Sequence, residues 1–131
     1  MPWSFEPNQP IYTQLIDRLR RAVAAGEYPP GSRLPTVREL AAEAGINPNT
    51  VQRAFQELER EGLIYTQRAT GKYVTENEAD IKSAREALAR TQVADFLRAM
   101  QSLGFSVGDV IVLLQSFNES EENSNHADSG M

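Results

Sequence analysis

The segment INPNTVQRAFQELEREGLI, residues 46–64, begins and ends with strong helix signals. Asn47 is a residue type that caps helices, and Pro48 is favoured in the first turn, where its missing N–H costs nothing. Gly62 suits the end of the helix. One buried face is predicted by the apolar residues at helical spacing, Val51, Ala54, Phe55 and Leu58. We therefore expect an amphipathic helix over residues 48–61.

The other face of this helix carries small and polar side chains near its start: Asn49, Thr50, Gln52, Arg53 and Gln56. Asn and Gln can form two hydrogen bonds with adenine, and Arg can do so with guanine, each pair giving about 1–3 kcal/mol of base discrimination. The short hydroxyl of Thr50 and the helix N-terminus suit a phosphate. The alternative interpretation is a solvated face without a binding role.

The acidic residues of the same helix, Glu57, Glu59 and Glu61, lie at its far end. Acidic side chains are normally favoured near a helix N-terminus, where they complement the macrodipole, so this distribution adds little stability. A polyanion bound at the N-terminal end would explain it. The distribution therefore favours a recognition helix whose first turns enter the major groove of DNA.

The neighbouring segments place this helix in a winged helix-turn-helix. Upstream, PIYTQLIDRLRRAVAAGEYPPG has apolar residues at helical spacing and predicts a helix over residues 10–25. The stretch SRLPTVRELAAEAG predicts a short helix that starts with a Thr36–Glu39 capping box and ends at Gly45. Downstream, LIYTQ and KYVT flank RATG, which predicts a β-hairpin with Gly71 at positive φ. The predicted fold class is mainly α with a small β-hairpin, and the winged domain spans residues 1–75.

Four basic residues surround the predicted recognition helix: Arg33, Arg38, Arg68 and Lys72. Arg33 and Arg38 lie near the start of the second helix, while Arg68 and Lys72 flank the hairpin tip, where a wing can reach the DNA backbone. Each alone is typical of a solvated surface charge. As a set around one helix, they favour contact with phosphates.

The blocks PPGSRLPTVRELA, NPNTV and ELEREGLI resemble the GntR family of bacterial transcription regulators, and its YtrA subfamily in particular. The resemblance covers residues 9–75 in detail and the remainder in length and layout. It implies a winged helix that reads a two-fold operator as a dimer, and an operon that includes the regulator's own gene and an ABC-type transporter. The family's DNA-contacting positions match Arg38, Asn49, Thr50, Gln52, Arg53 and Arg68.

Two positions depart from the pattern of the wider family. Pro48 stands where many relatives outside the YtrA subfamily carry a DNA-contacting arginine. Ala69 stands where the wing usually has glycine. The resemblance therefore extends less firmly to contacts at the wing tip than to those of the recognition helix.

Residues 76–118 predict two further helices that are joined by a tight turn at Gly104–Phe105. The first runs from about residue 77, and the second begins with a Ser106–Asp109 capping box. Apolar residues occupy more than one face, notably in the run Val110–Leu114, and a monomer would leave part of that surface in water. We therefore predict a helical hairpin that forms a homodimer through Leu88, Phe96, Met100, Leu103, Val110, Ile111, Leu114 and Phe117.

Two alternatives for this C-terminal region stay open. Both helices could instead pack on their own winged domain, and a small-molecule effector could bind at the dimer interface. Two helices of this length cannot alone enclose a typical ligand pocket of about 300–1,000 Å³. The final residues, 119–131, are polar and acidic without periodicity, which predicts a disordered tail.

The net charge of −5 is unevenly divided along the chain. Residues 1–75 hold nine Arg or Lys and eight Asp or Glu, a net of +1, whereas the remaining residues hold four and ten, a net of −6. An N-terminal half near neutrality can still present a basic face if its carboxylates point elsewhere. The acidic total therefore does not argue against DNA binding by the winged domain.

Other function classes find little support in the composition. The chain has no cysteine, which excludes disulfides, thiol nucleophiles and zinc–thiolate sites. Its longest apolar run, Val110–Leu114, is far shorter than the roughly 20 residues that span a membrane, and the first ten residues do not resemble a secretory signal. No catalytic triad or glycine-rich phosphate loop is visible, and His126 with Glu122 and Asp128 makes only a weak metal candidate. We expect a cytoplasmic protein without enzymatic activity, cofactor, metal or membrane association.

The sequence thus predicts a sequence-specific, homodimeric DNA-binding regulator, with double-stranded DNA carrying a palindromic operator as its partner. Two other interpretations remain open. Winged helices also serve as protein-interaction modules, and some bind DNA architecturally without base preference.

Overall fold

The computed structural model describes the backbone of residues 3–129 and the side chains as far as residue 121. It contains, in chain order, α1 (Ile11–Ala24), α2 (Val37–Ala44), α3 (Pro48–Arg60), β1 (Ile64–Gln67), β2 (Gly71–Val74), α4 (Glu78–Ser102) and α5 (Val107–Ser129). This order confirms the predicted winged helix-turn-helix followed by two helices.

The helix boundaries follow from the caps that the sequence predicts. At α2, the Thr36 Oγ1 accepts from the Glu39 N–H at 3.1 Å, and the Glu39 carboxylate accepts from the Thr36 N–H at 3.2 Å. Ser106 and Asp109 form the same reciprocal pair at the start of α5, at 3.1 and 2.9 Å. Such boxes satisfy amide donors that would otherwise lack partners. Both predicted capping boxes are confirmed.

Helix α3 lies at the centre of the winged domain and contacts α1, α2 and β1. Its apolar stripe is the predicted one, and each member is at most 1% exposed: Val51, Ala54, Phe55 and Leu58. These residues pack with Leu15 and Leu19 of α1, Leu40 of α2 and Val74 of β2 in one apolar cluster. The orientation of α3 is therefore determined by its buried face.

The wing, defined here as β1, β2 and the turn between them, is an antiparallel hairpin in which Ile64 pairs with Val74 and Gln67 with Gly71. Ala69 adopts a φ of 69°, the left-handed conformation that favours glycine. The segment before α2 extends the wing on its other side, since the Leu34 N–H donates to the Lys72 carbonyl at 2.8 Å. The base of the wing is thus attached to the loop that carries Arg33.

The boundary between the two compact units of the chain falls after Leu88, inside α4, and not at residues 75–76. The cause is packing: Ile81 is 5% exposed and belongs to the winged-domain core, and Ala84 packs against it. The first turns of α4 therefore complete the winged domain. The sequence prediction placed them in the C-terminal region because their helical periodicity continues without interruption.

In the C-terminal region, α4 and α5 are joined as predicted, but their axes turn by 107° at the break and the helices diverge. The second helix also extends further than expected. Residues 119–129, predicted as a disordered tail, continue α5 as far as Ser129. Neither proline nor glycine interrupts residues 109–129, so no residue in this stretch forces the helix to end.

Two absences hold for the described part of the chain. No single helix in it is both long and apolar enough to span a membrane; only α4 and α5 taken together across their bend satisfy that criterion of length and composition. No group of histidine and acidic side chains within the described residues could hold a metal ion. The metal candidates Glu122, His126 and Asp128 lie outside the residues whose side chains are described.

Candidate nucleic-acid interface

The polar face of α3 is open to solvent. Asn49, Gln52, Arg53 and Gln56 are all exposed, and Thr50 is partly covered. These positions lie opposite the buried stripe because residues three and four apart share one side of a helix. No other described part of the winged domain covers this face, so a DNA duplex could reach it.

The backbone N–H groups in the first turn of α3 donate hydrogen bonds to Asn47, within the same end of the helix. The Asn47 Oδ1 accepts from the Asn49 N–H at 2.8 Å, and the Asn47 carbonyl accepts from the Thr50 and Val51 N–H groups at 3.0 and 3.3 Å. Pro48 has no N–H to offer. The expectation that the amides at this helix end bind an anion is therefore not supported. A partner at this end of α3 would therefore have to be recognised by side chains.

The exposed side chain of Arg53 contacts an aromatic ring of the neighbouring helix α1. Its guanidinium carbon lies 4.4 Å from the centre of the Tyr12 ring, within the distance of a cation–π contact. Tyr12 belongs to α1 and is half-buried. Sequence reasoning did not select this residue, because an aromatic side chain at helical spacing from Leu15 and Leu19 is typical of core packing.

The acidic end of α3 is neutralised by partners within the winged domain. Glu57 pairs with Arg60, and Glu61 forms a two-pronged contact with Arg20, with the Nε–Oε1 and Nη2–Oε2 distances at 2.8 and 2.5 Å. The hydrogen bond from Arg20 to Glu61 raises the pKa of Arg20 above its ordinary value. These carboxylates are thus held away from the N-terminal turns of the helix.

Glu59 is held by the wing. Its Oε1 accepts from the Lys72 Nζ at 2.6 Å and from the hydroxyl of Thr66, which in turn accepts from the Lys72 Nζ at 2.9 Å. The hydrogen bond from Lys72, and then that from Thr66, lower the pKa of Glu59 below its ordinary value. Three side chains therefore join the last turn of α3 to both strands of the wing.

The predicted phosphate-binding residues divide into two groups. Arg33, Arg38 and Arg68 are exposed and, within the described part of the chain, form no ion pair. The Arg33 side chain lies across Gly71, where an added Cβ would approach its Nε to 3.2 Å. Lys72 differs, since its side chain is 19% exposed and its ammonium is occupied by Glu59. The structure therefore gives Lys72 a role inside the domain, which the sequence did not indicate.

The predicted dimerisation residues are mostly uncovered in the single chain. The exposed members are Phe96, Leu103, Ile111, Leu114 and Phe117, with Leu103 and Phe117 at 71% and 70%. Leu88 and Met100 are half-buried. Val110 is the exception, because it is 3% exposed and so already covered by its own chain. Val93, Phe105, Val107 and Val112 add to the apolar surface of the same region.

Comparison with known proteins gives concordant results. Residues 11–74 match the profile of the bacterial regulatory proteins, gntR family. The HTH-type transcriptional regulator YhcF of Bacillus subtilis (strain 168) is 32% identical over 115 residues, 88% of this chain and 95% of that protein. The HTH-type transcriptional repressor YtrA of the same strain is 50% identical over 68 residues, 52% of each chain. A solved GntR family transcriptional regulator from Listeria monocytogenes aligns with a TM-score of 0.78 and 36% identity, covering 86% of this chain and 98% of its own.

Proposed function

This chain belongs to the GntR family and is a DNA-binding transcriptional regulator, and from that premise we propose that it is a homodimeric repressor reading a palindromic operator with α3. The relatives it matches are transcription regulators and not enzymes. Acting on DNA, it would work in the bacterial cytoplasm.

One observation carries the proposal: the first two turns of α3 expose polar side chains and no carboxylate. Asn49, Gln52, Arg53 and Gln56 have the chemistry to read base edges in the major groove. The acidic residues of the helix are confined to its other end and paired there. A duplex approaching the N-terminal turns therefore meets donors and acceptors without a repelling charge.

The positions of the basic residues support a division of roles. Arg33, Arg38 and Arg68 are exposed and unpaired within the described residues, as phosphate contacts require, and the hydroxyl of Thr50 lies on the same first turn. Phosphate contacts position a protein on the duplex, whereas base contacts select the sequence. Lys72 differs, because a contact with phosphate would draw its ammonium away from the ion pair with Glu59.

The homodimer rests on the apolar surface of the C-terminal region. Large apolar side chains at Phe96, Leu103, Leu114 and Phe117 are exposed to water in the single chain, which is unfavourable. A second copy would bury them and would bring two recognition helices onto one operator. The half-sites should then lie one helical turn apart, about 10–10.5 base pairs, or a multiple of it.

The target operon and the signal follow from the family resemblance. We expect the operon to include this regulator's own gene and an ABC-type transporter, as in the YtrA subfamily. The 50% identity to YtrA supports this for the winged domain, but it covers about half of each chain. A small-molecule effector would fit best between the two C-terminal regions of a dimer.

Selection of bound fragments from random double-stranded DNA by the full chain tests the proposal. The expected outcome is a palindromic consensus bound much more tightly than its scrambled version, with a salt dependence set by the phosphate contacts. Equal, salt-sensitive binding to both DNAs would indicate an architectural protein. Lack of binding to either would indicate a protein-interaction module.

A further inference from the structure

Arg53 of α3 contacts the aromatic ring of Tyr12 in α1. The guanidinium carbon lies 4.4 Å from the ring centre, although the two residues are far apart in the chain. Within the described residues, Arg53 forms neither an ion pair nor a hydrogen bond that would fix its direction. The cation–π contact with the ring is thus the interaction that orients this exposed side chain.

The geometry of a stacked arginine leaves its hydrogen-bonding capacity intact. A guanidinium is planar, and its N–H donors all point outward in that plane, whereas attraction to an aromatic ring uses the face. Arg53 can therefore contact Tyr12 with one face and still present a donor edge to O6 and N7 of guanine. An ion pair with a carboxylate would occupy the same donors and prevent this.

Tyr12 itself is firmly placed. It packs against the winged-domain core, and α1 contacts α3 directly. The start of α1 is further held by Gln14, whose Oε1 accepts from the Glu6 N–H at 2.6 Å and whose Nε2 donates to the Glu6 carbonyl at 2.9 Å. The ring is therefore a fixed platform beneath a long and otherwise mobile side chain.

We propose that Tyr12 is a positioning residue for base recognition, holding the Arg53 guanidinium edge-on toward a guanine of the operator. This inference rests on the proposed function, since it assumes that α3 lies in the major groove. Orienting the side chain before binding reduces the conformational entropy that DNA binding must otherwise overcome. Tyr12 should thus contribute to selectivity for the operator and little to binding of random DNA.

The test is a double-mutant cycle with the full chain on an operator fragment selected from random DNA. Tyr12→Leu keeps an apolar side chain but removes the ring, and it should weaken operator binding about two- to five-fold, the strength of an exposed cation–π contact. In the Arg53→Ala background the same change should have no effect. Tyr12→Phe, which keeps the ring, should behave like the unmodified chain.

Two controls separate this role from others. Tyr65→Leu removes a ring that stacks on Tyr73 and not on an arginine, so it should show no coupling to Arg53→Ala. Thermal unfolding checks that the Tyr12→Leu chain is folded. A loss of the same size with and without Arg53, or a Tyr12→Phe chain as weak as Tyr12→Leu, would overturn the inference and indicate a direct contact between Tyr12 and DNA.

A measurement without DNA tests the stacking itself. The ring current of Tyr12 should shift the δ-methylene proton resonances of Arg53 upfield in the free protein, and Tyr12→Leu should abolish that shift. An unshifted signal in the unmodified chain would overturn the inference. If the unmodified chain selects no DNA sequence, the proposed function fails as well; if it selects an operator but shows no coupling, only the role of Tyr12 fails.

Discussion

Lys72 of β2 and Glu59 of α3 form an ion pair, with the ammonium nitrogen 2.6 Å from a carboxylate oxygen. The pair joins the wing to the last turn of the recognition helix, and the Thr66 hydroxyl bonds to both partners. The angle at which the wing stands beside α3 therefore depends on these side chains as well as on the buried strand residues.

Replacing Lys72 by methionine should lower the stability of the winged domain. Lys72→Met removes the ion pair and leaves a partly buried carboxylate, so the free energy of unfolding should fall by about 0.5–1 kcal/mol, as for partly exposed ion pairs. Urea unfolding measures this. Lys82→Met, which changes an exposed lysine of α4, is the matched control. Unchanged stability with a uniform loss of DNA affinity would instead make Lys72 a phosphate contact.

The stability of the domain should depend on Glu59 at acidic pH. Lys72 and then Thr66 hold the pKa of Glu59 below its ordinary value of 4.5, so the ionised form stabilises the fold above that pH. Below pH 4.5 the unfolded chain binds a proton before the folded one, and this stabilisation is lost as the pH falls. The Glu59→Gln chain should be less stable than the unmodified one at pH 7. The difference should shrink at pH 3.5 in urea unfolding.

The pH experiment has a control variant at an exposed carboxylate. Glu86→Gln removes an exposed carboxylate of α4 and should leave the pH dependence of the unmodified chain intact. A stability difference between the unmodified and Glu59→Gln chains that stays constant from pH 7 to pH 3.5 would mean that ionised Glu59 is not stabilised by the wing.

Glycine at position 69 should stabilise the wing. Ala69 has a φ of 69°, and a left-handed conformation costs a non-glycine residue about 1–2 kcal/mol. Part of this gain is offset by the greater freedom of glycine in the unfolded chain, so Ala69→Gly should raise the free energy of unfolding by about 0.5–1 kcal/mol. Ala89→Gly in α4 should lower it by a similar amount. A loss of stability from Ala69→Gly would show that the turn is not strained.

Arg53 and Arg60 offer a comparison within one helix. Arg53→Ala should weaken operator binding by about 1–3 kcal/mol and relax the preference for one base pair. Arg60→Ala removes an arginine that is paired with Glu57 at the opposite end of α3, so it should change base preference little. Binding curves on the operator and on single-base variants measure both. Equal losses on operator and random DNA from Arg53→Ala would contradict its role in base reading.

The proposed dimer should depend on the apolar side chains of α5. Leu114 is 54% exposed in the single chain, and Leu114→Asp, which puts a charge at this position, should yield monomers with much weaker operator binding. Gln115→Asp adds the same charge at the next position, where an exposed polar residue already stands, and this variant should remain dimeric. Sedimentation velocity distinguishes the two. A monomeric unmodified chain would refute the dimer, whatever the variants do.

Local chemistry made much of the winged domain predictable. Caps such as Thr36 with Glu39, or Asn47 before Pro48, mark helix starts through interactions within a few residues. The exposed face of α3 was likewise predictable, because the spacing of Val51, Phe55 and Leu58 determines which positions remain outside.

Contacts between distant residues were not predictable in the same way. Lys72 has the sequence features of a phosphate contact, and only the hairpin register brings it to Glu59. Tyr12 meets Arg53 because α1 packs against α3, which no local pattern indicates. The division inside α4 was missed for a related reason, since Ile81 is one apolar residue among many until its burial is known.

The satisfied amides at the start of α3 have a consequence for how such regulators diversify. Because Asn47 holds the backbone of the first turn, the side chains at positions 49, 52 and 56 contribute little to folding and are free to vary. Gene duplicates could acquire new target promoters through a few substitutions at these sites while every other part of the protein is retained. The same positions are where an engineer would begin to redirect the protein to a chosen DNA sequence.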